Sequence, residues 1–216
     1  LGGRFDYASS VGSNAPTIFY PQARASVRLD QFDATPDVFD LLKVRVAYGE
    51  TGQLPGIYDG VSVLWGAAAY GVGRGAVPSQ IGNSDIKPER VKELEIGIDG
   101  DLFNRLGFEL TYYRQNSTES IIGFEESPST GLTFDDPPLN VGGVEGYGFE
   151  AGINGTVIRK PNLQLDLGIL YSYQKNEVTD LGGAQPIYDG FDVNVIKEKL
   201  PRSAFYVLDV NGAQRD

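Results

Sequence analysis

The chain has 216 residues, a formal net charge of −11, and no histidine, cysteine or methionine. The missing thiols and imidazoles exclude disulfides, thiol catalysis, Ser-His-Asp triads and zinc or haem sites with Cys or His ligands. The acidic excess, with no cluster of Lys or Arg, argues against a nucleic-acid partner. We therefore predict no catalytic residue and no cofactor. The carboxylates of 135–136 and 189–192 could supply oxygen ligands to calcium, but neither segment has the spacing of a known calcium motif, so we interpret them as solvated turns and predict no metal site.

Seven segments alternate strictly between apolar and polar residues, which is the period of a strand with two different faces. In chain order they cover residues 1–7, 23–29, 42–48, 93–102, 106–115, 147–157 and 163–173. Several of them reach about ten residues, whereas strands in soluble domains usually have about 5–6. Because the chain is also rich in Gly, Tyr and Phe, we predict an all-β fold of long antiparallel strands.

The connections between these strands fall into two length classes. Residues 103–105 and 158–162 carry Asn or Pro, and we predict tight hairpin turns there. Segments rich in Gly, Pro, Asp and Ser at 50–90, 116–145 and 176–202 are predicted to be long structureless loops. Short turns at one end and long loops at the other are typical of an outer-membrane β-barrel.

The polar strand faces carry carboxylates that suit a water-filled lumen, while the apolar faces could meet lipid. These carboxylates are Glu93, Glu95, Asp99, Glu109, Glu150 and Asp166. Two other classes fit the same pattern. One is a soluble β-sandwich that binds carbohydrate and packs its apolar faces against a second sheet. The other is a passive porin-like channel, which an upstream plug domain would distinguish from a gated transporter.

Three stretches resemble motifs of TonB-dependent outer-membrane transporters, in particular the SusC/RagA-like nutrient importers. They are residues 42–53 (LKVRVAYGETGQ), 83–89 (NSDIKPE) and 140–150 (NVGGVEGYGFE), and they occur in the order found in that family. Ser84 stands where the family usually has proline. We interpret these motifs as architectural: Asn83 and Asp85 can close turns through their side chains, and the glycines of 140–150 permit bulges.

The resemblance implies a transmembrane antiparallel β-barrel in the bacterial outer membrane, in contact with its lipid. Seven strands are too few to close a barrel of that family. Residues 1–216 are therefore expected to be one part of a single barrel domain, without the plug domain and the final strands. The resemblance also implies import of glycan or peptide oligomers, a surface lipoprotein as a lid partner, and energy supplied through a TonB complex.

Aromatic residues of the predicted loops are the candidate ligand contacts, because aromatic faces stack on sugar rings and peptide side chains. They are Tyr58, Trp65, Tyr70, Phe124 and Phe134. Trp65 is the strongest candidate, since it is the single tryptophan and lies in the middle of a predicted loop. The alternative is that these side chains pack the loops together or lie at the membrane interface.

Overall fold

The computed structural model describes residues 1–33, 35–60, 63–70, 73–123, 137–189 and 193–207. Its main feature is one antiparallel sheet of seven strands. These are β1 (Gly2–Asp6), β2 (Ile18–Arg28), β3 (Phe39–Gln53), β6 (Glu89–Leu102), β7 (Leu106–Gly123), β8 (Pro138–Lys160) and β9 (Leu163–Asp180). A separate hairpin is formed by β4 (Val63–Tyr70) and β5 (Gly73–Ile81), and a three-stranded sheet by β10 (Ile187–Asp189), β11 (Asn194–Ile196) and β12 (Ala204–Phe205).

The seven-stranded sheet confirms all seven predicted strands. Its spatial order is β1-β2-β3-β6-β7-β8-β9, so each strand pairs with the next long strand along the chain. Most strands run beyond the predicted bounds, and β8 reaches 23 residues. The helical content of the described residues is one 3-10 turn, Leu29–Gln31. No helix of the described residues has the length and apolar character needed to cross a membrane.

The prediction of three long structureless loops is wrong in part. Residues 50–53 and 89–90 belong to β3 and β6, and the hairpin β4–β5 lies between them. Much of 116–145 continues β7 and β8, and 176–202 holds the end of β9 together with β10 and β11. Apolar alternation is missing from these segments, yet main-chain hydrogen bonds form a ladder whatever the side chains are. Strands with this composition therefore lack the periodic signal.

The predicted tight turns are confirmed at one end of the sheet. Phe103 and Asn104 adopt positive φ angles of 56° and 51°, and the N–H of Arg105 donates to the carbonyl of Leu102 at 3.0 Å. The second turn is shorter than predicted, because β8 continues to Lys160 and only residues 161–162 join it to β9. The longer connections lie at the opposite end, as predicted.

Very few side chains of this sheet are buried. The buried apolar side chains of the described residues are Tyr20, Ile86, Val178, Leu181 and Val195. All of them lie at the end with the long connections, where the chain folds back on the sheet. Along the rest of their length the strands leave both faces open. The sheet is therefore a wall with two surfaces rather than one half of a packed sandwich.

Asp30 organises the connection between β2 and β3 at the short-turn end. Its carboxylate accepts hydrogen bonds from Arg28 (Nη2 to Oδ2, 2.5 Å), from the Gln31 amide at 2.8 Å, and from the main-chain N–H of Leu42 at 3.1 Å. The hydrogen bond from Arg28, followed by that from Gln31, holds the pKa of this carboxyl well below its usual range.

We expect this connection to lose stability in acid. Because the folded pKa is lowered, the contribution of Asp30 is present above the unfolded pKa of about 4 and is lost as the pH falls through the folded value. The free-energy difference in denaturant unfolding between the unsubstituted protein and Asp30→Asn should therefore be largest at neutral pH and shrink below about pH 4. Asp33→Asn, in the same connection, is the control. A difference that does not change with pH would contradict the role of the Asp30 carboxylate.

Candidate functional site

The register of the sheet separates the side chains into two faces, because directly opposed residues on neighbouring strands point to the same side. One continuous row contains Val46, Ile96, Tyr112 and Phe149, from β3, β6, β7 and β8. Their side chains are 38–46% exposed, although all are large and apolar. With the parallel rows above and below, they form an uncovered apolar band.

The neighbouring row, on the opposite face, is polar. It contains Ser26, Arg45, Gly97, Thr111 and Glu150, from the same strands and β2. The predicted carboxylate face is confirmed, since all six carboxylates belong to this surface through the strand register: Glu93, Glu95, Asp99, Glu109, Glu150 and Asp166. We call this surface the inner wall.

Arg45 lies at the centre of a charge network on the inner wall. Its guanidinium pairs with Glu95 and with Asp99 (Nε to Oδ1, 3.2 Å), and it donates to Thr111 Oγ1 at 2.6 Å. Lys43 Nζ reaches the second oxygen of Asp99 at 2.7 Å. The network therefore joins three adjacent strands, with the cations on β3 and the anions on β6.

Gly97 makes room for this network. A Cβ atom at position 97 would lie 2.6 Å from Arg45 Cζ, closer than real Cβ contacts, so the guanidinium rests directly on the glycine backbone. Any larger residue would displace Arg45 from its position between Glu95 and Asp99. This glycine within a strand is therefore explained by the close approach of a side chain from the next strand.

A second cluster lies at the end of the sheet with the long connections. The amide of Asn140 at the start of β8 accepts a hydrogen bond from the N–H of Lys87 at 2.8 Å and donates to the carbonyl of the same residue at 2.8 Å. It also donates to the carbonyl of Glu119 at 2.9 Å. One side chain thus imitates a β-bridge and joins the 83–89 motif to β7 and β8. We call this contact the asparagine clasp.

Further contacts hold the 83–89 motif from the other side. The main-chain N–H of Gly12, between β1 and β2, donates to the carbonyl of Ile86 at 2.9 Å. The main-chain N–H of Asn14 donates to the carbonyl of Ser84 at 3.0 Å. Ile86 is completely buried. The predicted side-chain turn is confirmed for Asn83, whose side chain accepts a hydrogen bond from the N–H of Asp85 at 2.9 Å. The carboxylate of Asp85 instead accepts a hydrogen bond from the side-chain amide of Asn14 at 3.1 Å.

The predicted bulges in 140–150 are confirmed in part. The register between β8 and β9 shifts between Gly143 and Val144, and that between β7 and β8 shifts near Ser120. These irregularities let β8 bend where it leaves the clasp. The two family-like motifs 83–89 and 140–150 therefore meet in space, which their separation in sequence did not indicate.

The aromatic residues predicted to bind ligand are not brought into one described cluster. Trp65 lies in β4 and is 66% exposed, and Tyr58 lies in a turn and is 53% exposed. The main chain of Tyr70 ends β4 opposite Gly73. Phe124 and Phe134 lie outside the described residues. Ligand contact by these five residues stays a prediction.

Sequence reasoning missed the roles of Arg45 and Asn140. Arg45 lies on the polar face of a predicted strand, but its partners are 50 and 54 residues away and follow only from the register of β3 with β6. Asn140 lies within a recognised motif, and its partner Lys87 lies in another. The sequence therefore contained one signal for the clasp. Both residues lie in motifs that resemble the same family, and two such motifs can occur together because they contact each other.

A protein-family model described as TonB dependent receptor-like, beta-barrel matches residues 1–211. The chain belongs to this family. As part of such a β-barrel it lies in the outer membrane, with the apolar band against lipid and the inner wall toward the lumen. This membership decides against the soluble sandwich, whose apolar faces would have to be covered by a second sheet.

Individual TonB-dependent receptors resemble the chain more weakly. TonB-dependent receptor P26 of Formosa agariphila is 28% identical over 190 residues, which are 85% of this chain and 19% of that protein. TonB-dependent receptor P39 of the same organism is 27% identical over 193 residues, which are 88% of this chain and 18% of that protein. The chain thus spans about a fifth of the length of these relatives.

Solved structures of the RagAB peptide importer share the fold. The closed-closed state superimposes with a TM-score of 0.82 at 22% identity, over 94% of this chain and 23% of that one. The open-open state gives a TM-score of 0.78 at 21% identity, over 91% of this chain and 22% of that one. The seven-stranded wall is therefore a segment of the same barrel architecture.

Proposed function

We propose that this chain is a wall segment of an outer-membrane transporter that imports oligomeric nutrients, either peptides or glycans. The observation that supports the proposal most is the continuous polar inner wall opposite an uncovered apolar band, in a chain of the TonB-dependent receptor family. Such a wall separates lipid from a hydrated path. The two similar structures are described as a peptide importer, which agrees with cargo of oligomer size.

The proposal extends to parts beyond this chain. Seven strands do not close a barrel, so further strands complete the wall, and a plug domain fills its lumen. A surface lipoprotein covers the mouth formed by the long connections, and a TonB complex supplies energy from the inner membrane. The five aromatic residues Tyr58, Trp65, Tyr70, Phe124 and Phe134 are proposed to contact the cargo near the mouth.

Uptake by cells that carry the whole protein tests this function. Fluorescent peptides and glycans of oligomer size are supplied to cells with and without the gene. We expect gene-dependent accumulation of at least one class, and its loss when the TonB complex is deleted. Accumulation that survives deletion of TonB would instead identify a passive channel. No gene-dependent accumulation of either class would refute import.

A further inference from the structure

The lipid-facing surface changes from apolar to basic at the end of the sheet with the long connections. From Leu102 to Leu94 every outward residue of β6 is apolar or glycine, and the next outward residue is Lys92. This apolar stretch rises about 26 Å along the strand, which is about 20 Å of height at a tilt of about 40°. Since the apolar band of an outer-membrane barrel is about 25 Å tall, Lys92 lies where the band ends.

The next strand, β7, becomes basic at the same height. Its outward residue Tyr112 lies opposite Ile96, and the next outward residue is Arg114. Arg114 lies opposite Leu94 on β6 and Tyr147 on β8, and its side chain is 62% exposed. Tyrosines are enriched at the boundary between membrane and water, where the ring meets lipid and the hydroxyl meets water. The two tyrosines therefore mark the same boundary as the change from apolar to basic residues.

Lys92 and Arg114 are diagonal neighbours, because their register partners are Asn116 and Leu94. Diagonal neighbours on adjacent strands lie about 7 Å apart at Cβ, so two long side chains can reach one group placed between them. β6 lies between β3 and β7, and β7 lies between β6 and β8. The outward surface on both sides of the two cations is therefore formed by strands of this sheet.

The carboxylate opposite Lys92 is already bound by other groups. Glu50 on β3 accepts a hydrogen bond from Arg90 (Nε to Oε2, 2.6 Å) and another on its second oxygen from the hydroxyl of Tyr48. The Glu50 side chain is only 7% exposed. Lys92 is exposed and forms no ion pair with any described residue. Its ammonium group is therefore a surplus positive charge at the membrane boundary.

The carboxylate nearest Arg114 is shared as well. Glu145 on β8 accepts hydrogen bonds from Arg114 Nη2 at 3.1 Å and from the side-chain amide of Asn116 at 3.2 Å. Glu145 is the one hydrogen-bond partner of the Arg114 side chain among the described residues. Because a guanidinium carries five N–H donors, most of those of Arg114 are available to a ligand.

We propose that Lys92 and Arg114 bind the phosphate group of an anionic lipid of the outer leaflet, whose acyl chains lie along the apolar band. The long connections face the cell exterior in outer-membrane barrels, so this boundary is that of the outer leaflet. A phosphate accepts charge-assisted hydrogen bonds from an ammonium and a guanidinium group at the same time. A zwitterionic headgroup would bring a cation of its own to Lys92, which favours a purely anionic one. The site depends on the placement of the wall in the membrane and not on the imported cargo.

Lipid retention by the purified whole protein tests the site. The protein is placed in phosphatidylcholine vesicles that contain a minor fraction of diphosphoryl lipid A or of the same lipid with its phosphates removed. Native mass spectrometry after mild detergent extraction counts the lipids that each protein retains. We expect the unsubstituted protein to retain the phosphorylated form about twentyfold more than the dephosphorylated form. Lys92→Gln and Arg114→Gln should each lower this preference about fivefold, since each removes one cation from the lipid surface.

Arg24→Gln is the matched control, because it removes an exposed cation from the opposite face, in the row of Ala47 and Glu95 on the inner wall. It should leave the preference unchanged, and Lys92→Arg, which keeps the charge, should retain it. The heat-induced gel shift of each variant reports folding.

Equal retention of the two forms of lipid A by the unsubstituted protein would overturn the site without the use of any variant. An unchanged preference in both Lys92→Gln and Arg114→Gln would also overturn it, as would an equal loss in Arg24→Gln. None of these results bears on import, because no cargo is present in the measurement.

Discussion

Replacing Ile96 by arginine should destabilise the folded protein by about 2–4 kcal/mol, because the new charge would lie in the apolar band near the middle of the wall. Ile96 faces outward between Val46 and Tyr112 on the adjacent strands and is 46% exposed. No described carboxylate shares this part of the face, so the guanidinium would be placed in lipid without a counter-charge. The measurement is the free energy of unfolding of the whole protein in phospholipid vesicles, from urea titration.

The control for Ile96→Arg is Ser172→Arg. Ser172 lies on β9 opposite Glu150, on the inner wall, so an arginine there tests the opposite face of the same sheet. An arginine at 172 meets water and a nearby carboxylate and should change stability by less than about 1 kcal/mol. Similar losses from the two substitutions would contradict the assignment of the two faces.

Replacing Asn140 by alanine should open the end of the wall that carries the long connections. The substitution removes three hydrogen bonds and leaves the N–H and C=O of Lys87 without their partner in a partly buried setting. At about 1 kcal/mol for each bond, we expect a loss of about 3 kcal/mol in local stability. That corresponds to roughly a hundredfold faster amide hydrogen exchange in residues 83–89.

Asn154→Ala is the matched control for the clasp. Asn154 lies on the same strand and is exposed, and its side chain makes no hydrogen bond to any described residue. Exchange in residues 83–89 should therefore be the same in this variant as in the unsubstituted protein. Hydrogen exchange followed by mass spectrometry measures the exchange rates of residues 83–89 in Asn140→Ala and in Asn154→Ala. If Asn140→Ala accelerates exchange throughout the sheet instead of near Lys87, the prediction that the clasp stabilises only residues 83–89 is contradicted.

The two substitutions test different levels of the structure. Ile96→Arg tests whether the apolar face meets lipid and the polar face meets water, an assignment that follows from the alternation in the sequence. Asn140→Ala addresses a contact between two motifs separated by 53 residues. If Asn140→Ala leaves barrel assembly unchanged but accelerates hydrogen exchange in residues 83–89, then pairing between the strands stabilises the wall and the clasp separately stabilises the long connections.

Part of the candidate site could be predicted from the sequence, and part could not. The carboxylates Glu93, Glu95 and Asp99 were assigned to one polar face because alternation with period two is a local property. Their pairing was not predicted, because Arg45 meets Glu95 and Asp99 only in the observed register of β3 with β6. A shift of one residue would place Arg45 on the lipid side.

By itself the sequence determined seven amphipathic strands, the tight turn at 103–105, the two chemical faces and the family, all of which depend on short-range pattern or on recognisable motifs. The tertiary structure decided the strand extensions, the hairpin β4–β5, the asparagine clasp and the pairing around Arg45. The physical reason is that hydrophobic alternation is encoded residue by residue, whereas register and main-chain pairing arise from contacts between distant segments.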